Sequence, residues 1–398
     1  MNNPLRDCGK PSFFKVTNTA ALGFAPPGNR RGQAVRAAVR ALAGMQKEAL
    51  VASSLTGGVW RLACDEGAYL NGSDEAPCPL AFLTTGLVAS YMEEVRALAQ
   101  RRRIELRDVK LTQDNYYAIK GSALKGAMRG AARDIELEAQ IDSPADHGTL
   151  QALVLDAVAA SPLNGLMRGR KESLFSLMHN GRPLALGAAL PVQGPTPVDP
   201  GDLFERAIPE ARDWSNLIVR LGLTPKTAET VTLAGDSLKK EQDRILHVRG
   251  ICTLLPNGIK SIEQHLYNPH GSIFRFLSEE GPSNGGQGRA PDAVTYVSAG
   301  IAFCFLTQLG RYAKIVRKTV DRYACVQDTH FTLGGASAGT GKPGEADPVE
   351  THLYVVSPET DDFARAALDM SEQTCYLHAF CKTDLKAKVR VIEQVRAA

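Results

Sequence analysis

The sequence predicts an α+β protein built from two copies of one domain plan, and three observations lead there. The first is an internal repeat. Arg61 to Gly67, through Ala76-Pro77 to Gly86 and Ser90, aligns without a gap on Arg275 to Gly281, through Ala290-Pro291 to Gly300 and Cys304, at a constant offset of 214 positions. A period that long describes a whole domain, since solenoid and propeller units run to about 50 residues at most. The second is the order strands, helix, strands, helix, read once in each half from hydrophobic periodicity. The third is the run Pro191 to Pro200, dense in Pro and poor in bulky apolar residues, which reads as a semi-rigid linker. The boundaries that follow are an arm and helix over 1–52, a first repeat over 53–190, a linker and helical insertion over 191–245, and a second repeat over 246–398.

Residues 1–31 are rich in Pro, Gly and Asn and predict a turn-rich arm. Gln33 to Ala52 carries Val35, Val39, Leu42, Met45 and Leu50 at near-helical spacing, which predicts a helix before the strand Val59–Ala63. Pro79 suits a first helical turn, and Phe82, Leu83, Gly86, Leu87, Ser90 and Tyr91 recur at i, i+3 and i+4, so Phe82–Gln100 is a long buried helix. Strands follow at Ile104–Ile119 and Arg133–Ile141, then a helix over Thr149–Leu166. The second half opens with a helical preface, Leu203–Arg244, amphipathic at Leu217, Val219, Leu221 and Leu223. Strands at Leu246–Ile262 and Ser272–Leu277, a helix over Thr295–Val316, strands at Asp321–Leu333 and Thr351–Ser357, and a final helix over Asp361–Phe380 complete it.

Composition narrows the function classes. At 398 residues with 44% hydrophobic content the chain has ample core, and a net charge of +3 with dispersed basic residues points away from nucleic acid. Arg101-Arg102-Arg103 follows an apolar helical run and reads as a helix end complementing the dipole. No apolar segment reaches the roughly 20 residues needed to span a bilayer, and the N-terminus lacks the apolar run of a signal peptide, so neither a membrane nor export is expected and the location expected is cytoplasmic. Gly334 to Pro343 superficially suggests a phosphate loop but puts Ala336 and Pro343 where Gly and Ser or Thr belong. Eight cysteines in a chain this long favour free or redox-active thiols over a disulfide scaffold.

Two of those cysteines stand out. Extending the repeat pairs Ser161 with Cys375, so Ser90 and Ser161 of the first half both become cysteine in the second. Cys304 lies on the apolar helix with Gly300 one turn before it on the same face, where a glycine admits a close approach to the sulfur. His378, at i+3 from Cys375, is a candidate acid/base or a stabiliser of the helix end, with a metal site as a lesser reading.

An apolar helix with a central Cys, two further strands, and then a helix carrying the second Cys resembles the OsmC/Ohr family. Asp65-Glu66-Gly67, Gly72, Ala76-Pro77-Cys78-Pro79-Leu80 and Gly86 resemble that family's strand, turn and Pro-containing start of the central helix, and Ser161-Pro162 resembles its second site. The resemblance covers roughly 53–185 and 246–396. It implies two OsmC-like domains in tandem that form an intramolecular pseudo-dimer, with central helices packed between small antiparallel sheets. It further implies thiol-dependent reduction of an organic hydroperoxide: Cys304 becomes a sulfenate, Cys375 resolves it, and an external dithiol recycles the pair without metal or cofactor. The substrate implied is small and hydrophobic. The family's activating Glu falls on Leu80 and Val294, leaving Asp292 as the substitute, and its Arg is matched by Arg275 or Arg249. Arg275 also reads as a strand residue paired with Glu279 or Glu280. The rival readings are a cysteine-nucleophile hydrolase or transferase acting on an ester, thioester or halogenated aromatic, with His378 as acid/base, and a non-catalytic ligand-binding protein.

Overall fold

The computed structural model describes residues 3–226 and 233–393. The first half begins with α1 (Pro4–Asp7), β1 (Phe14–Lys15) and α2 (Thr19–Leu22), then a meander of β2 (Gln33–Ala41), β3 (Lys47–Ser53) and β4 (Val59–Cys64). The long helix α3 (Pro79–Arg102) precedes β5 (Asp108–Ser122), β6 (Arg129–Ala132), β7 (Ile135–Asp142) and α4 (His147–Ala160). Strands β8 (Leu174–His179), β9 (Arg182–Leu184) and β10 (Leu190–Pro191) end this half, and α5 (Leu203–Arg206) with β11 (Ile218–Leu223) leads into the next. There the meander is β12 (Glu241–Leu254), β13 (Lys260–Asn268) and β14 (Ser272–Ser278), followed by α6 (Ala293–Val316), β15 (Arg322–Phe331) and β16 (Glu350–Val356). Helices α7 (Asp361–Thr374) and α8 (Tyr376–Cys381) and strand β17 (Ala387–Glu393) complete the chain.

The elements recur at the offset read from the sequence. Helices α3 and α6 each span 24 residues, and Pro79 and Ala293, their first residues, are partners in the repeat. The same holds for α4 and α7, each of 14 residues, which begin at His147 and Asp361. Neither half builds a complete sheet from its own strands. One sheet runs β1-β4-β3-β2-β15-β16-β8-β10, so the first meander continues into strands of the second half; the other runs β11-β14-β13-β12-β5-β7-β17. Two joins between the halves are antiparallel, β2–β15 with Val35 opposite Thr329 and β5–β12 with Asp114 opposite Arg249, and two are parallel, β8–β16 and β7–β17. Helix α6 packs on β2, β3 and β15, α3 packs on β12, β13 and β5, and the two helices pack on each other. The result is four layers, sheet, helix, helix, sheet. Both helices are buried on nearly all sides, which is why their apolar residues surround the axis rather than forming a stripe. By length and composition α6 passes for a membrane span, contrary to the sequence reading, yet its apolar stretch is wholly buried within the fold.

Two segments expected to be helical are strands. Val35 and Val39 are four positions apart, a spacing compatible with helix and strand alike, with Arg36, Ala37 and Ala38 between them. In β2 the side chains alternate instead: Val35, Ala37 and Val39 share one face, while Arg36 reaches Asp328 on β15 at 2.7 Å and Arg40 reaches Glu48 on β3 at 2.6 Å from the other. Pairing along both edges decides the conformation. In the segment Leu203–Arg244 the apolar residues Leu217, Val219, Leu221 and Leu223 are spaced by two, the period of a strand, and β11 lies along β14 at the edge of its sheet. The α-helical part of that insertion is the short α5 among the described residues, residues 227–232 lying outside them.

Candidate active site

Helix α6 presents Cys304 one turn beyond Gly300. A Cβ at Gly300 would sit 3.0 Å from Leu83 N and Phe82 Cβ and 3.1 Å from the Pro79 carbonyl oxygen, so the bare glycine lets α3 and α6 meet beside the thiol. The second thiol comes from a break in the chain's last helical stretch. Helix α7 stops at Thr374, Cys375 adopts φ −72°, ψ 116°, and α8 begins at Tyr376, so the single helix expected over Asp361–Phe380 is two. The first half shows the cause. Ser161 precedes Pro162, a residue before proline is driven from the helical region, and α4 ends at Ala160 with Ser161 at φ −62°, ψ 126°. Cys375 keeps that geometry without a proline by capping α8, its Sγ accepting from His378 N–H at 3.5 Å.

The break turns Cys375 to Cys304, and the two free thiols are neighbours. Ser90 Oγ and Ser161 Oγ stand in the same relation in the first half, 2.7 Å apart. Cys304 also forms part of the wall of a cavity of about 30 Å³, enough for little more than a water molecule. Thr307, Gln308 and Arg311 continue that wall along α6, Glu66 and Cys78 enter from the first half, Arg244 from β12 and Tyr376 from α8, with Leu70, Leu80, Leu246 and Leu266 between.

Burial dominates the electrostatics. It pushes the Cys304 thiol well above its ordinary value, Cys375 adds to the rise, and the Leu377 N–H directed at the sulfur works against it. Glu66 accepts from Tyr69 Oη at 2.6 Å and Thr307 Oγ1 at 3.1 Å, and burial raises its carboxyl as well. Arg311 is 3% exposed, and its guanidinium donates to Ser237 O at 2.6 Å, Gln308 Oε1 at 3.0 Å and Met128 Sδ at 3.3 Å, none of them anionic. Burial lowers its pKa without removing the charge. A second guanidinium, Arg244, donates to Ser237 Oγ.

His378 stands on the far side of Cys375, its Nδ1 3.2 Å from Cys375 Sγ and its ring between those of Phe175 and Phe305, at 5.5 and 5.4 Å. Burial pushes it down to about 4, so it is neutral at pH 7 and carries no charge with which to stabilise a helix end. Its Nε2 has no partner among the described residues.

The remaining residues selected from the sequence lie elsewhere. Asp292 caps α6, accepting from Thr295 N–H at 2.8 Å and Ser53 Oγ at 2.9 Å, and this places it roughly 18 Å from Cys304 along the helix axis. It borders the cavity beside Ser90. Arg249 pairs with Asp114 at 2.9 and 2.8 Å and lies over the Tyr267 ring. Arg275 donates to Asn216 O at 2.9 Å, and its expected partners are taken, Glu279 by Arg289 and Glu280 by Lys260.

Sequence reading misses Glu66, Arg244 and Arg311. Glu66 is in view as part of Asp65-Glu66-Gly67, matched in the second half by Glu279-Glu280-Gly281, but strand exchange brings it to the opposite half's cysteine. Arg311 carries a signal of its own, an ionisable residue within a helix that is otherwise largely apolar. Among solved structures the chain is similar to an OsmC-like hydroperoxide resistance protein from Jannaschia sp. CCS1, at 25% sequence identity, covering 33% of this chain and 83% of that one, with a TM-score of 0.21. No family model and no curated protein matches the chain.

Proposed function

We propose that this chain is a tandem OsmC-like protein whose halves form an intramolecular pseudo-dimer, and that it reduces small hydrophobic organic hydroperoxides in the cytoplasm. The observation that carries the reading is the contact between Cys304 and Cys375 at a cavity wall, in the place where the other half holds two serines. Recurrence of the elements at the constant offset and the exchange of strands between halves support the tandem arrangement.

In this reading the Cys304 thiolate attacks the outer oxygen of the hydroperoxide, the O–O bond breaks, and the alkoxide leaves as the alcohol after taking a proton. Cys304 is then a sulfenic acid. The Cys375 thiolate attacks that sulfur, the disulfide forms and water departs. An external dithiol returns two electrons and restores both thiols. Arg244 and Arg311 in the same wall are the cations available to favour a thiolate against the penalty of burial. At about 30 Å³ the cavity admits a hydroperoxide only after wall side chains move. The rival chemistry at carbon loses its acid/base, because His378 is no part of this cavity wall.

The test is stopped-flow oxidation of the reduced protein by cumene hydroperoxide, with thiols counted before and after. Rapid loss of two thiols that requires both cysteines is expected, and slow, unselective thiol loss with Cys304 still alkylatable overturns the proposal.

A further inference from the structure

The half without the cysteine pair is not a blank copy. Beside Ser90 lies a cavity of about 420 Å³ lined by Glu93, Glu94, Glu280, Asp292 and Gln33. In the register of the repeat Ser90 answers to Cys304 and Glu280 to Glu66, but Glu93 and Glu94 replace Thr307 and Gln308, and Ala97 replaces Arg311. The counterpart of Arg244 is Arg30, which is engaged by Asp347 and Glu350 at 2.7 Å each. One cavity has guanidinium groups in its wall, and the other has gained carboxylates.

Few cations answer them. Lys260 lies 3.1 Å from Glu93 and 2.7 Å from Glu280, and Arg96 approaches Glu93 at 3.8 Å. Glu94 and Asp292 are held by neutral donors: Glu94 by the N–H groups of Ala336 and Ser337 at 2.7 and 3.1 Å and by Ser337 Oγ, Asp292 by Thr295 N–H and Ser53 Oγ. Burial raises both carboxyls above their ordinary range, and the hydrogen bonds to each, with the Lys260 charge for Asp292, offset only part of the rise. An independent sign comes from Gln33, which lines the cavity and is 3% exposed. Its amide N–H donates to Thr332 O at 2.8 Å, and its Oε1 has no donor among the described residues. A buried acceptor left open in this way costs about 1–3 kcal/mol unless a ligand or water supplies a donor. The walls therefore combine negative charge with surplus acceptors, which is the complement of a cation bearing N–H groups.

We propose that this cavity binds an organic ammonium ion, a protonated primary amine or diamine, donating to Glu94, Asp292 and Gln33. Among the described residues no three His, Cys, Asp or Glu side chains converge to hold a metal, which favours an N–H donor over a bare divalent ion. The volume accommodates a short alkyl chain behind the charged head, against Leu55, Val294 and Leu333.

The experiment is calorimetric titration of the full chain with 1,4-diaminobutane and n-butylamine at pH 7, with 1-butanol as neutral control and magnesium chloride as the metal control. Saturable binding of the amines, absent for 1-butanol and weakened by added salt, is expected. Asp292→Asn, which retains an N-cap acceptor, weakens it about tenfold, and Ala338→Phe, at the exposed rim, abolishes it while leaving the thermal transition unchanged. Binding unaltered in the Cys304→Ser/Cys375→Ser double variant separates this site from the thiol chemistry. Absence of saturable amine binding, equal binding of the alcohol, displacement by magnesium chloride beyond that by sodium chloride at equal ionic strength, or indifference to both cavity variants overturns the proposal.

Discussion

Ser90 Oγ lies 2.7 Å from Ser161 Oγ, and that pair shows in oxygen what Cys304 and Cys375 present in sulfur. A disulfide requires Cβ atoms about 3.5–4.5 Å apart, a separation consistent with two hydroxyls in hydrogen-bond contact. The Ser90→Cys/Ser161→Cys double variant is therefore expected to form one further disulfide under diamide, seen as two more thiols lost than in the parent. It should not gain fast reactivity toward hydroperoxide, because the carboxylates of its cavity oppose a thiolate. Failure of the additional bridge to form would mean that the two backbones are held too rigidly for an S–S bond.

Removing one thiol at a time separates the two roles proposed. Cys375→Ser leaves a Cys304 sulfenic acid that persists long enough to be trapped by dimedone, with one thiol consumed per peroxide. Cys304→Ser shows neither fast consumption nor adduct. Mass spectrometry of the trapped protein reads both, and an adduct on Cys375 in the second variant would reverse the assignment.

In the proposed reading, charge in the thiol cavity sets the reactivity of Cys304. Glu66 pushes the Cys304 thiol up, so Glu66→Gln, which keeps acceptor and donor atoms near Tyr69 and Thr307, lowers the pH at which Cys304 is alkylated. Arg311→Met removes a buried cation and slows peroxide oxidation by about tenfold or more, the size expected when about 1.4 kcal/mol of thiolate stabilisation is lost. The measurement is the pH dependence of iodoacetamide labelling in the two variants, and shifts in one direction for both would defeat the electrostatic account.

His378 makes a prediction about stability. Its pKa is about 4 in the fold against an ordinary 6.5, so the folded state prefers the neutral ring. A depressed histidine contributes stability that is present above pH 6.5 and lost as pH falls towards 4, up to about 3 kcal/mol for this fully buried group. Cys304 works at the other end, since a raised thiol favours the protonated form and its contribution is lost as pH climbs past the ordinary thiol value. Urea midpoints at pH 7, 5 and 4 should fall in the parent and fall less in His378→Leu, whose side chain fits between Phe175 and Phe305. Parallel decline in both proteins would assign acid sensitivity to other groups.

How much of this is legible in the sequence depends on whether the signal is local. Cys304 and Cys375 stand out because the repeat sets serines against them, while their pairing comes from the family resemblance; the helix expected over Thr149–Leu166 ends at Ala160 because Pro162 drives Ser161 from the helical region, and Cys375 has no such proline to mark its break. The strands β2 and β3 read as helix because Val35 and Val39 satisfy two periods at once, and only their pairing with β15 and each other excludes it. The exchange of strands is a property of register between segments from opposite halves of the chain, Val35 against Thr329, and leaves no mark in either segment alone. For the same reason a search for charged groups around Cys304 within its own half ends at Asp292, Arg249 and Arg275, while Glu66 arrives from the other.

The contact between the central helices sets the geometry of both cavities, and its two glycines are not equivalent. A Cβ at Gly86 would collide with the Ala293 carbonyl oxygen and come within 2.5 Å of Val297 Cγ2, whereas one at Gly300 meets its neighbours at 3.0 Å and beyond. Backbone cannot yield as a side chain can, so Gly86→Ala forces α3 and α6 apart at an overpacking cost of about 1–3 kcal/mol. Gly300→Ala is accommodated by shifts of a few tenths of an ångström and costs less, but it moves α6 beside Cys304. Chemical denaturation should rank Gly86→Ala as the less stable variant, and disulfide formation under hydroperoxide should rank Gly300→Ala as the slower. The opposite order in both assays would place the tight point of the helix pair at the thiol end.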